Sequence, residues 1–301
     1  MRKLFVIVAL FAITVLMPAG ANAAAWEKYD KPVPTRVTVR VLSRGAKAMN
    51  PNTGALVIIR DAASNEVLDK GDVQGGTGDM EALMNTGYPR VSGMTGLLKG
   101  EKGLKEKSGG CETYTSTEDS AAFVGQVMLT RPTQVVIEAH GPMMPHQSGA
   151  TAVTTTWLFP GEDVTGEGIV LELRGLIVDT LASLKEVELN PDELKEGIDL
   201  PFYMRMMCGC PIAPKSFGLP WEAEDFNITV QAYYRGKLYH EEVTTADKLF
   251  VSVSQFRARF PVPENLPEGQ FNREQVVVRV MASQPKMANF GMDEFSVYFT
   301  R

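Results

Sequence analysis

The sequence is poor in the residues that most chemistry needs. Three histidines and three cysteines in 301 residues cannot supply most multi-ligand metal centres, and a closed zinc site wants four such ligands at typical spacing. Only His140, His146 and His240 offer a general base near neutral pH without tuning. No G-x-S-x-G, H-E-x-x-H, phosphate-binding loop, C-x-x-C or C-x-x-C-H occurs. A basic surface is also missing. Thirty basic residues against 36 acidic ones give a net charge of −6, which excludes a nucleic-acid binder that works through a positive face. Beyond the N-terminus no run is long and apolar enough to span a bilayer. Helical periodicity is scarce, with short candidates only at Gly78–Met84 and after Asn190-Pro191, where Asn190 would cap.

What is present begins with an export signal. Arg2 and Lys3 precede a 14-residue run, Leu4 to Met17, that is apolar except for Thr14. Pro18 and Gly20 break it, and Ala21-Asn22-Ala23 fits a cleavage site. Residues 1–23 are therefore expected to be a signal peptide cleaved after Ala23, and the mature chain to be periplasmic or secreted, with no membrane span. Such a compartment permits disulfides.

The rest reads as strands. Val37, Val39 and Val41 alternate with polar residues across Thr35 to Leu42, the signal of a half-buried strand. Further strands are expected at Ala55–Ile59, Glu66–Asp72, Ala121–Leu129, Thr133–His140, Ala152–Phe159 and Ile169–Val178. Others follow at Asn227–Tyr234, Lys237–Val243, Gln255–Phe260, Gln275–Met281 and Glu294–Thr300. Tyr234-Arg-Gly-Lys237 suggests a hairpin. Many short strands at even spacing indicate an all-β chain. At this length the expectation is two tandem Ig-like β-sandwich domains, 24–162 and 163–301. Residues 73–119, with Gln74-Gly-Gly-Thr-Gly-Asp79 at their start, break the strand rhythm and are read as a long glycine-rich insertion in the first domain.

From Val37 to Gly71 the chain has a strand, a Thr53-Gly54 turn, Ala-Leu-Val-Ile-Ile and Val67-Leu-Asp-Lys-Gly71. This stretch resembles the carboxypeptidase-regulatory and transthyretin-like sandwiches. The resemblance covers about 35 residues and implies a fold, not a function.

The unusual chemistry sits at Met204-Arg-Met206-Met207-Cys208-Gly-Cys210-Pro211. In a strand, Met204, Met206, Cys208 and Cys210 would share one face, and soft thioether and thiolate ligands select Cu(I). Met143, Met144, His146 and His140 form a second cluster on a loop, which the fold would have to bring alongside. Two alternatives stand beside copper. The methionines can be core filler. The cysteines can be bridged, either Cys111 to Cys208 or Cys210 across a long loop, or Cys208 to Cys210 in a small, easily reduced ring. Glu222, Glu224 and Asp225 offer a carboxylate pair, although acidic loop residues are usually solvated.

Three functions follow as expectations. The first is a non-catalytic binding protein of the cell envelope with a protein partner. The second is a periplasmic copper protein. The third is a thiol–disulfide redox protein.

Overall fold

The structure, a computed structural model, describes residues 29–76, 120–144, 149–181, 184–188, 197–264 and 274–300. Within them every long element is a strand, and the helical elements are short 3-10 turns. The first seven strands are β1 (Val33–Ser43), β2 (Leu56–Asp61), β3 (Val67–Asp72), β4 (Phe123–Leu129), β5 (Thr133–Gly141), β6 (Ala150–Leu158) and β7 (Val164–Leu173). They make two sheets, ordered β4-β1-β7 and β3-β2-β5-β6. β1 runs antiparallel to β4 and parallel to β7. The second sheet is antiparallel throughout.

The remaining strands are β8 (Leu176–Asp179), β9 (Leu184–Glu188), β10 (Ile198–Met206), β11 (Asn227–Tyr234), β12 (Lys237–Thr245), β13 (Phe250–Ser252), β14 (Gln255–Phe260), β15 (Glu274–Gln284) and β16 (Asn289–Thr300). They form the sheets β13-β14-β10-β8 and β12-β11-β15-β16-β9. The chain is thus an all-β, sandwich-like protein of four sheets. Sheet membership changes between Leu173 and Leu176, since β7 pairs with β1 and β8 with β10.

Period-2 patterning builds the core. Val57 and Ile59 on β2, Val135, Ile137 and Ala139 on β5, and Val37, Val39 and Val41 on β1 are all fully buried. In the other half, Ile198, Leu200, Phe202, Met204 and Met206 turn one face of β10 inward, against Phe256 and Phe260 of β14. Each such side chain contributes about 1.5–3 kcal/mol by leaving water, and the buried residues form one continuous cluster.

β1 departs from the half-buried strand that its alternation suggests. It is central in its sheet, and its polar face is covered too: Thr38 and Arg40 are buried. The Arg40 guanidinium donates to the carbonyls of Gly166 and Glu167 at 2.5 and 2.6 Å. Burial holds its pKa below the usual arginine value.

Several groups fasten the halves together. Trp221 Nε1 donates to the Gly45 carbonyl. Asn289 Nδ2 donates to the Arg44 carbonyl, and Asn289 Oδ1 accepts from Gly175 N. The Gly45–Gly54 loop of the first half is therefore held by the second. Gly76 and Ser120 form a bridge beside the Gln74–Ala122 bridge. The chain leaves and re-enters the first half at adjacent points. Residues 1–28, which contain the expected signal peptide, and residues 77–119 of the expected insertion lie outside the described residues. So do the helix candidates at Gly78–Met84 and Asn190–Glu193, and also Cys111 and His146.

Candidate functional site: a cavity walled by a disulfide

The segment 204–210 is not one strand, which corrects the expectation of four sulfurs in a row. β10 ends at Met206. Gly209 N donates to the Met206 carbonyl at 2.8 Å, and Met206 N donates to the Cys210 carbonyl at 3.1 Å. Gly209 stands at φ +79°, a conformation that glycine adopts at no steric cost. The result is a tight loop. Before it, Met204 and Met206 have no exposed surface and pack in the core, which is the work methionine does well in irregular gaps. Met207 is also fully buried. It lies against Gly175, where an added Cβ would meet its Sδ at 2.6 Å.

After the turn, Cys208 and Cys210 are disulfide-bonded, with their Cα atoms 5.4 Å apart. Of the pairings left open by the sequence, the described residues contain this one. A bonded sulfur is not a thiolate, so the pair in this state is not a Cu(I) ligand set. A ring this small restrains the unfolded chain little. The entropic model gives roughly 1.6 kcal/mol for a three-residue loop.

The second predicted cluster divides. His140 lies on the outer face of its sheet, where Nδ1 is 2.9 Å from Thr151 Oγ1 and Nε2 is 3.2 Å from Glu138 Oε2. Glu138 also pairs with Arg60 at 3.4 Å. Met143 is half exposed, and its N–H donates to the Thr53 carbonyl at 2.8 Å. Of the described members of this cluster, Met144 alone lines the same cavity as Cys208 and Cys210. The structure thus brings Met144 to the disulfide and keeps His140, Met204 and Met206 elsewhere. Among the described residues no three His, Cys, Asp or Glu side chains group as metal ligands.

The cavity is about 340 Å³ and sits on the seam between the halves. Lys47, Asn50, Asn52, Thr53 and Met144 line it from the first half. Ile177, Arg205 and the loop from Cys208 to Pro211 line it from the second. The Asn50-Pro-Asn-Thr-Gly54 turn fixes its near wall. Thr53 N and Gly54 N both donate to the Asn50 carbonyl, and Asn52 N donates to Asn50 Oδ1. The turn reaches the disulfide loop directly, because a Cβ added at Gly209 would lie 3.1 Å from Thr53 Cγ2.

Two cations reach this cavity. Burial lowers the Lys47 pKa, since a desolvated ammonium disfavours its proton. The Arg205 guanidinium lies 5.2 Å from the Tyr203 ring centroid. Among the described residues neither Lys47 nor Arg205 has a carboxylate within ion-pair distance. The sequence marks a turn at Thr53-Gly54, but nothing in its spacing sets Lys47 or Arg205 on one cavity with Cys208.

The other sequence candidates are engaged locally. Glu224 accepts from Lys215 N through both oxygens, and Asp225 pairs with Lys286 at 2.7 Å. His240 is on β12, with Nε2 buried and unpartnered.

Sheet edges differ in how they end. At β4 the carboxylate of Asp69 accepts from Gln126 N at 2.8 Å and so occupies that edge. Among the described residues β6 pairs with β5 alone and ends its sheet. Its nine residues, Ala-Thr-Ala-Val-Thr-Thr-Thr-Trp-Leu, include no charge and no proline. Val153 and Trp157 are 58% and 55% exposed. Long uncharged edges of this kind are what proteins normally blunt.

No helix among the described residues is long and apolar enough to cross a membrane. No family model matches the chain, and no curated protein matches it in sequence. Among solved structures, it is compared with a point mutant of the major pilin from Streptococcus pyogenes. That comparison covers 89% of this chain and 98% of the pilin chain at 8% identity, with a TM-score of 0.18. No shared fold follows from a score that low.

Proposed function

We propose that this chain is an exported, non-catalytic binding protein of the cell envelope, built of two tandem Ig-like β-sandwiches, that holds an extended segment of a partner protein along β6. The β6 edge carries the reading. Among the described residues its backbone is paired on one side alone, and it offers no charge to repel a strand and Val153 and Trp157 to contact one. The change of sheet membership after Leu173 supports a tandem arrangement. The basic start and apolar run of residues 2–17 support export. The test places a photoreactive residue at position 157 and crosslinks in envelope extracts. One recurring partner, lost in Val153→Lys while the melting temperature is kept, is the expected result. Repeated recovery of no partner, or capture unchanged by Val153→Lys, overturns the reading.

The position of Met144 favours a second reading. On reduction, Cys208 and Cys210 with Met144 would present three soft donors around one cavity and suit Cu(I). Anaerobic titration of the reduced protein with Cu(I) against a competing chelator tests this. Weakened binding in Met144→Leu and its loss in Cys208→Ser with Cys210→Ser are expected. Affinity unchanged in the double serine variant would end the copper reading. Met204→Leu and Met206→Leu should leave the affinity unaltered, since both sulfurs are enclosed in the core.

A further inference from the structure

We infer that Cys208–Cys210 is a dithiol–disulfide exchange site, entered through the seam cavity and selective for small thiols that carry a negative charge. The inference is independent of the β6 reading.

Three observations carry it. First, hydrogen bonds close the loop in addition to its disulfide. Met206 N to the Cys210 carbonyl and Gly209 N to the Met206 carbonyl close the turn. Ser254 then pins Ile212, two residues beyond Cys210, from both sides: Ile212 N donates to Ser254 Oγ at 3.2 Å, and Ser254 N donates to the Ile212 carbonyl at 2.9 Å. The two sulfurs would therefore stay together when the bond between them is broken, as a cycling pair must.

Second, the pair lies on a cavity wall, and the two cysteines differ. Both are buried, Cys208 at 6% exposed and Cys210 at 2%, and the more open Cys208 is assigned as the sulfur attacked. A volume of about 340 Å³ is at the small end for ligand sites. It suits a low-molecular-weight thiol rather than a cysteine on a protein surface.

Third, Lys47 and Arg205 supply positive charge where it does most. In an otherwise acidic chain, they line this cavity without a described carboxylate partner. Neighbouring cations stabilise thiolates and raise exchange reactivity. They also concentrate an anionic reactant.

The step balances as follows. The thiolate of a small thiol attacks Cys208 Sγ. The Cys208–Cys210 bond breaks, and its electron pair leaves on Cys210 Sγ as a thiolate. A second small thiolate attacks the small-molecule sulfur of the mixed disulfide, and Cys208 leaves as a thiolate. Two thiols are oxidised to one small disulfide, and the protein disulfide is reduced to two cysteines. The two protons released by the small thiols go to the cysteine sulfurs.

The test uses the oxidised full-length protein with three probes: 2-mercaptoethanesulfonate, 2-mercaptoethanol and 2-aminoethanethiol. Rate constants are compared per thiolate, and acid-quenched mixed disulfides are located by peptide mass spectrometry. The sulfonate should react about fivefold faster than the neutral thiol, and the amine slowest. The adduct should lie on Cys208. Lys47→Met with Arg205→Met should bring the three rates together while the melting temperature and hydrogen exchange show the fold intact. Rates indifferent to probe charge, an adduct confined to Cys210, or exchange no faster than global unfolding would overturn the inference. Loss or retention of a β6 partner does not alter these rates, so the two proposals fail separately.

Discussion

Trp221 Nε1 and the carbonyl of Gly45 meet in a buried 2.9 Å hydrogen bond across 176 positions of sequence. The bond joins the second half of the chain to the loop that carries Lys47 and Asn50–Thr53. It therefore fixes one wall of the seam cavity against the other.

Trp221→Phe should strand the Gly45 carbonyl without a donor. The expected loss is about 1–3 kcal/mol, the cost of an unpaired buried acceptor plus lost contacts. Urea denaturation followed by fluorescence and by circular dichroism checks it. The two probes should give coincident transitions if the seam couples the halves, and a split transition in the variant would show that this bond holds them together.

Asn289 makes three contacts at once. It donates to the Arg44 carbonyl and to Gln284 Oε1, and it accepts from Gly175 N. Asn289→Ala leaves these partners unsatisfied in a buried place. It should cost about 2–4 kcal/mol, more than Trp221→Phe. The same denaturation experiment ranks the two, and the reverse order would show that packing of the indole outweighs the amide network.

Removing the disulfide should matter little to stability. Cys208→Ser with Cys210→Ser is expected to lower it by less than about 2 kcal/mol, because the ring is so small. Melting with and without reductant should agree with the variant. A larger loss would mean that the turn at Met206–Cys210 depends on the bond, against the backbone pattern described above.

Asp61 gives a pH prediction. Its carboxylate accepts from Ser64 N and Ala63 N at 2.8 Å each, and these bonds hold its pKa below the ordinary aspartate value. The folded pKa is depressed. Its stabilising contribution is therefore present above the unfolded value of about 3.9 and is lost as pH falls through the folded one. Asp61→Asn keeps an acceptor but cannot titrate. Its stability should fall less steeply than wild type below about pH 4. Identical slopes in acid would show that Asp61 does not contribute.

Gly54→Val should disturb the cavity from a distance. Gly54 has φ +70°, and a Cβ there would come 2.9 Å from Met143 Cβ. Both strain and crowding push Met143 and Met144 outward. A loss of about 1–3 kcal/mol is expected, together with faster hydrogen exchange at Met143 N, which now donates to Thr53.

Much of the fold was legible because its strands alternate. Asn227–Tyr234 and Gln255–Phe260 match β11 and β14 residue for residue. The Tyr234–Lys237 hairpin is present, with Arg235 and Gly236 both at positive φ. Ile169–Val178 reads as one strand but is two, interrupted at Arg174-Gly175 where Met207 packs across the chain. No local pattern announces such a break. The parallel pairs β1–β7 and β9–β16 are long-range contacts that periodicity does not encode.

The site was half legible. Soft sulfurs around 204–210 marked the place, but strand geometry was extended past Met206 into residues that turn. Telling core methionines from exposed ones requires the partner surface, here β8 and β14. Nothing in the spacing of Lys47 and Arg205 singles them out in the sequence. Only the docking of the Asn50–Gly54 turn on Gly209 gives them a shared cavity.

The bridges Gly76–Ser120 and Gln74–Ala122 stitch the end of β3 to the start of β4. The two strands lie in different sheets, so these pairs act as a clasp at one corner of the first half, and the registers of β3 and β4 are anchored to each other there.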